Sequence, residues 1–193
     1  MNTCHHLFCR SLLWRFIAST WILPWALDGV ELGASTLELG PGYGVSTRAL
    51  HCQQLVCIEY DGRLARRLSR NLGGSPVAVV NGDAAELPFQ DAVFDGVVSM
   101  MMLHHVAPAG KQDRLFAEVF RVLRPGGVFA GCDSIDRPLL RRMHRSDHVA
   151  MVDALTLRER LAVAGFGSIA VESRRSMFRF QARKHAVALE PGA

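Results

Sequence analysis

Five short apolar runs, set apart by segments of helical periodicity, constrain this chain more than any other feature. Ser35–Leu39, Leu55–Tyr60, Val77–Val80, Phe94–Met101 and Val128–Cys132 each read as a strand with few polar interruptions. Strands buried on both faces look like this, whereas a sheet with one wet face alternates polar and apolar residues. Between them, Asp61–Leu72 places Leu64, Ala65 and Leu68 on one helical face and stops at Gly73-Gly74. Lys111–Leu123 does the same with Leu115, Phe116, Val119, Phe120 and Leu123, and the turn Arg124-Pro125-Gly126-Gly127 ends it. Val45–His51 is expected to open a further helix. Strands alternating with helices imply parallel βαβ units wound on both faces of an open sheet. The tail departs from that rhythm. After a helix over Leu157–Ala164, the runs Ile169–Ser173 and Met177–Ala182 follow with no helix between them. Such a pair closes as an antiparallel hairpin. The expected fold is therefore α/β and three-layered, with a mostly parallel sheet. No repeat or linker divides the 193 residues, which read as a single domain with a helical segment at 1–30 and a core at 34–184.

The N-terminal segment Leu7–Leu27 is apolar, but Arg10 and Arg15 interrupt it and Pro24 breaks it. It is too broken for a spanning helix or a signal peptide. Leu12, Leu13, Phe16, Ile17, Trp21 and Trp25 recur at helical spacing, which suits a helix packed on the domain. The same pattern, with Trp14 added, would also serve as a lid or a membrane-surface contact. The five cysteines (4, 9, 52, 57 and 132) contain no C-x-x-C pair, as expected of free thiols in a reducing cytoplasm. Cys4, His5, His6 and Cys9 form a cluster with no second ligand pair downstream to close a tetrahedral site, so no metal centre is expected. The net charge of +4 is spread among arginines, with mild clusters at Arg66-Arg67, Arg141-Arg142 and Arg174-Arg175. A nucleic-acid partner is not expected from so dispersed a charge.

The chemistry collects at the ends of the apolar runs. The first run ends in Glu38-Leu39-Gly40-Pro41-Gly42-Tyr43-Gly44, a strand feeding a glycine-rich turn that brings backbone close to a ligand. The dinucleotide fingerprint G-x-G-x-x-G fails, because Val45 stands where the third glycine belongs. That argues against an NAD-dependent oxidoreductase. Glu38, two residues before the first glycine, suits a cationic ligand. Glu59 ends the second run, the usual place of an acceptor for ribose hydroxyls. Asp83, in Asn81-Gly82-Asp83-Ala84, ends the third, where a short acceptor can take an adenine amino group. Each acid has a blander reading as a helix start or turn. Together they line the sheet edge where open α/β folds bind ligands.

With those residues in view, the chain resembles the class I S-adenosylmethionine (SAM)-dependent methyltransferases, and within them the small-molecule branch related to ubiquinone-biosynthesis enzymes. The matching stretches are LELGPGYG (37–44), VCIEYD (56–61), NGDAAELPFQDAVFDGVVSMMMLHHV (81–106) and RVLRPGGVF (121–129). The resemblance implies a Rossmann-like seven-stranded sheet in the order 3-2-1-4-5-7-6, with SAM as cofactor. It implies that Gly40, Gly42 and Gly44 cradle the methionine part and that Glu38 sits near its amino group. Glu59 would take the ribose hydroxyls and Tyr60 would pack on adenine. Asp83 and the Ala84 amide would read the adenine edge. Ser99 to His104 would face the sulfonium and the methyl acceptor, with His104 and His105 as candidate bases. The acceptor is expected to be a small or lipid-like molecule. The segment Asp133–Asp153, with Arg137, Arg141, Arg142, His144, Arg145 and His148, would contact it or form a solvated helix. A SAM-binding protein without catalysis is the remaining alternative.

Overall fold

The computed structural model describes residues 10–144 and 148–186. Seven strands form one sheet: β1 (Ser35–Leu39), β2 (Gln54–Glu59), β3 (Val77–Asn81), β4 (Phe94–Met100), β5 (Leu123–Ser134), β6 (Gly167–Arg174) and β7 (Met177–Arg183). Their order is β3-β2-β1-β4-β5-β7-β6. The first five strands are parallel, and β7 runs antiparallel to both β5 and β6. The chain walks outward from β1 to β3, then returns to lay β4 on the other side of β1. That reversal opens a crevice at the carboxyl ends of the strands.

The helices are α1 (Leu12–Ile17), α2 (Leu23–Ala26), α3 (Gly62–Asn71), α4 (Ala109–Val122), α5 (Pro138–Met143) and α6 (Ala154–Val163). A π-helical turn over Ala18–Ile22 joins α1 to α2. Asp61 starts α3 by accepting hydrogen bonds from the amides of Arg63 (2.7 Å) and Leu64 (3.2 Å). Asp153 starts α6 in the same way through Leu155. Strand periodicity then sorts side chains to the two faces of the sheet. Leu37, Leu39, Val97, Phe129 and Phe180 meet Leu115, Phe116 and Val119 of α4 and Leu157 and Leu161 of α6. On the other face Leu55, Cys57 and Val98 meet Leu68 of α3 and Leu23 of α2. The three layers are those the apolar runs imply.

Two elements differ from the sequence expectation. Val45–His51 does not form a helix: residues 42–49 are a run of turns. The Ser46 and Thr47 hydroxyls donate to the Glu38 carboxylate, and such side-chain bonds compete with helical pairing. A left-handed Gly44 (φ +72°) adds to the break. The second difference is at β5, which begins at Leu123 and not at Val128. Leu123 pairs with Phe94 and Val128 with Gly96, so the predicted turn Arg124–Gly127 is a bulge carried inside the strand.

The N-terminal segment packs Ile22 and Ala26 on Cys132 of β5, flanked by Trp14, Ile17 and Trp25. Its outer face leaves Leu12, Leu13, Phe16 and Trp21 exposed. No helix of the described residues is long and apolar enough to cross a membrane. Cys52, Cys57 and Cys132 are free thiols. Cys4, His5, His6, Cys9 and Arg145 lie outside the described residues.

Candidate active site

The crevice is a cavity of about 760 Å³. One wall is the glycine loop with the ends of β2 and β3; the opposite wall is the segment after β4 together with the N-terminal helices. Gly40 has a left-handed backbone (φ +57°), and a Cβ there would collide with the Met102 side chain. Only glycine lets β1 turn this sharply under Met102.

Two buried carboxylates hold the loop in shape. Glu59 accepts the Gly42 amide on one oxygen and the Asp61 amide on the other, both at 2.9 Å. Burial pushes the Glu59 carboxyl up from its usual range, against the pull of those amides. An ionised carboxylate offers about four lone-pair sites, more than its backbone donors fill on Glu59, which lines the cavity. Glu38 lies beneath the loop and off the cavity wall. It accepts hydrogen bonds from the Ser46 hydroxyl, the Thr47 hydroxyl (2.6 Å) and the Cys57 thiol (3.4 Å). Burial raises the Glu38 pKa most strongly, the three donors lower it, and nearby Glu59 adds to the rise. Gly40 and Gly42 face the cavity, whereas Gly44 sits behind them against Leu68.

At the β3 end, Asp83 and Ala84 line the cavity beside Tyr60, whose ring is exposed. Sequence reasoning missed Lys111 here. Its ammonium lies 2.5 Å from Asp83 Oδ2 and 5.1 Å from the centre of the Tyr60 ring. Burial pushes Asp83 up, but the Lys111 ammonium and the Ala85 amide outweigh it and hold the carboxyl below its usual range. Asp83 is thus kept ionised and acceptor-only.

At the far end, Met100, Met101, Met102, His104 and His105 line the cavity, joined by Arg137, His144 and His148 from the segment after β5. Ser99 is buried inside β4, between Leu39 of β1 and Gly131 of β5, and does not reach the cavity wall. His104 is held by Asp133, a residue the sequence reading named only as a segment boundary. Asp133 Oδ1 lies 2.5 Å from His104 Nδ1, and Oδ2 accepts the His104 amide at 3.0 Å. Burial lowers the His104 pKa, and the Asp133 charge and hydrogen bond more than restore it, leaving it raised. The signal for Asp133 was available: it is an acid at the carboxyl end of a strand, as Glu59 and Asp83 are. Of the basic segment, Arg137 donates to the Arg175 carbonyl and Arg141 pairs with Asp136.

A sequence profile of the family described as "Methyltransferase domain" matches residues 37–131, the stretch that builds the loop and the first two acid-bearing strand ends. The 24-methylenesterol C-methyltransferase 2 of Oryza sativa subsp. japonica is 32% identical over 130 residues, covering 64% of this chain and 34% of that protein. The demethylmenaquinone methyltransferase of Clavibacter sepedonicus is 33% identical over 135 residues, covering 67% and 51%. This match and these relatives support placing the chain among the class I SAM-dependent methyltransferases. The methyltransferase fold is also seen in phosphoethanolamine N-methyltransferase 2 of Haemonchus contortus, solved in complex with S-adenosyl-L-methionine. That structure superposes with a TM-score of 0.74 at 15% identity, over 96% of this chain and 60% of the other. The chain spans between about a third and a half of the length of these two curated methyltransferases.

Proposed function

We propose that this chain binds SAM along the glycine loop and transfers its methyl group to a small, lipid-like acceptor at the histidine end of the cavity. The observation that carries the reading is the convergence of the loop, Glu59 and Asp83 on one cavity whose remaining wall is largely apolar. The residues fit the cofactor. A Cβ on Gly42 would meet nothing within 4 Å, so its backbone is open to an approaching ligand. The lone-pair capacity left on Glu59 suits a hydroxyl of a vicinal diol. Ionised Asp83 suits an exocyclic amine, with Tyr60 as the packing face and the Ala84 amide as donor. Glu38, turned inward, acts on the ammonium end through the shape of the loop. SAM supplies a methyl group already activated on a sulfonium. The chain then needs to orient the acceptor and keep water out, which Met100–Met102 and the N-terminal helices are placed to do. His104 and His105 stand at the acceptor end. Calorimetric titration with S-adenosylhomocysteine tests the cofactor site, and transfer of radiolabelled methyl into a lipid extract tests the reaction. Heat with NAD and none with S-adenosylhomocysteine would overturn the reading.

The relatives named above act, by their names, on sterols and menaquinone precursors. A membrane-borne acceptor suits this chain too. Trp14, Ala18, Ile22 and Leu23 face the cavity, while Leu12, Leu13, Phe16 and Trp21 point outward from the same helices. Arg10 and Arg15 are the only charged residues between positions 10 and 27. Such a face lies in a membrane interface, with its arginines toward anionic headgroups. Co-sedimentation with phosphatidylglycerol-containing vesicles is expected, and its loss in Leu13→Glu/Phe16→Glu. Protein that stays in the supernatant with and without these changes would refute the contact.

A further inference from the structure

The fold brings a distant third histidine to a pair adjacent in the sequence. His104 and His105 follow β4, and His144 caps the end of α5. The ring centres of His104 and His105 are 4.2 Å apart, and each lies 5.0 Å from that of His144. One nitrogen from each ring lies within 4.8 Å of the other two. His104 and His144 are buried and His105 half-buried. All three line the same end of the cavity.

The orientation of His104 is the second observation. Asp133 lies 2.5 Å from Nδ1 and is itself fixed by the amides of His104 and Ser134. That contact places the ring proton on Nδ1 and leaves the Nε2 lone pair directed away from Asp133. Nε2 is buried and has no hydrogen-bond partner among the described residues. A buried polar atom without a partner calls for an explanation. A carboxylate behind an imidazole whose other nitrogen is bare is the arrangement that orients metal-ligating histidines. The fully buried Asp133 also supplies negative charge beside the site.

We propose that His104 Nε2, His105 and His144 bind one zinc-type divalent cation at the acceptor end of the cavity. Imidazole donors select zinc and its first-row neighbours, whereas magnesium and calcium take oxygen ligands. Three histidines leave a fourth tetrahedral position open, and here it faces the cavity. An oxygen of the acceptor, as hydroxyl, carbonyl or enol, is the class of ligand that would take it. Nitrogens on one tetrahedral zinc stand about 3.3 Å apart, closer than the 4.8 Å within which one nitrogen of each ring lies here, so the rings draw together on binding. The histidine pair read from sequence as candidate bases becomes a ligand pair completed by a third, distant residue. The site goes beyond the methyl-transfer reading and is tested without it.

The full chain, stripped with a chelator, is titrated with Co(II) and followed by visible absorption. One equivalent is expected to give the intense d–d bands of a tetrahedral nitrogen site, without the thiolate charge-transfer band that Cys4 and Cys9 would produce. The bands should vanish in His105→Ala and in His144→Ala, with circular dichroism melts verifying that both variants fold. Asp133→Asn, which keeps the imidazoles and weakens only their support, should lower affinity roughly 10–100-fold. The absence of a tetrahedral spectrum, a spectrum that survives both alanine variants, or a thiolate band would overturn the site. S-adenosylhomocysteine binding is measured in parallel. A protein that binds it and no cobalt loses the metal site and keeps the cofactor reading.

Discussion

Glu38 offers a sharp test of how the cofactor loop is held. Its carboxylate is 1% exposed and accepts two hydroxyls and a thiol from beneath the loop. Glu38→Ala removes the acceptor from Ser46 and from Thr47, itself buried. Leaving buried donors unpaired costs about 1–3 kcal/mol each, against which the relief of burying a carboxylate must be set. A net loss of about 3 kcal/mol follows, or roughly 6–12 °C in Tm for a chain of this size. Glu38→Gln keeps the volume. Its amide oxygen accepts one hydroxyl and its NH2 donates to the oxygen of the other, so most of that loss is avoided. The pH dependence separates charge from shape. Burial holds the folded Glu38 pKa above its ordinary 4.5. A raised folded pKa means that the contribution to stability is full below the unfolded value and is lost as pH rises through the folded one. Glutamine has no such dependence. The Tm of Glu38→Gln relative to the unmodified chain should therefore climb as pH rises from about 4.5. Differential scanning calorimetry over pH 4–9 reads it. A Glu38→Gln variant as unstable as Glu38→Ala, or a difference that shrinks with pH, would refute the reasoning.

Two further outcomes follow from ion pairs away from the cavity. Arg121 donates to Glu118, to Asp91 and to the carbonyls of Leu87 and Phe89, tying the loop before β4 to α4. Arg121→Ala should cost about 2–3 kcal/mol in chemical denaturation. Arg121→Lys should recover only part of it, since an ammonium lacks the planar fork. Asp95 accepts the Ser35 and Ala34 amides and pairs with Arg124, and its pKa is lowered, first by the Ser35 amide and then by Arg124. A lowered folded pKa contributes stability above the unfolded value that is lost as pH falls. Asp95→Asn should melt below the unmodified chain at pH 7, and the gap should close as the solution is acidified past about 3.8. A gap independent of pH would remove Asp95 from the acid response.

The sheet could be read from the chain because buried parallel strands leave unbroken apolar runs and because Ile169–Ala182 contains no helix to separate its two strands. The acids at the ends of β2 and β3 were legible for the same reason: strand ends fix where their side chains emerge. The segment after the glycine loop was not. Its residues are compatible with a helix, and the tertiary bonds of Ser46 and Thr47 to Glu38 decide otherwise. Lys111 also escaped, since its role depends on the start of α4 coming to Asp83 after β3 and not on any local pattern. Asp133 and His144 were written in the sequence as a strand-end acid and one basic residue among several. Only the fold brings them to His104.

The cavity wall draws on residues inside and outside the stretch that the family profile matches. The residues proposed to grip the cofactor, from the glycine loop to Asp83, lie between 37 and 131, the region matched by the family profile. Trp14, Ala18 and Ile22 come before that stretch, and Ile135, Leu140 and Met177 come after it. Substitution in these flanking segments reshapes one chamber while the loop, Glu59 and Asp83 stay as they are. On the proposed reading, a lineage that exchanges its flanks reshapes the acceptor chamber around a retained wall of Met100–Met102, His104 and His105, without relearning how to hold the methyl donor.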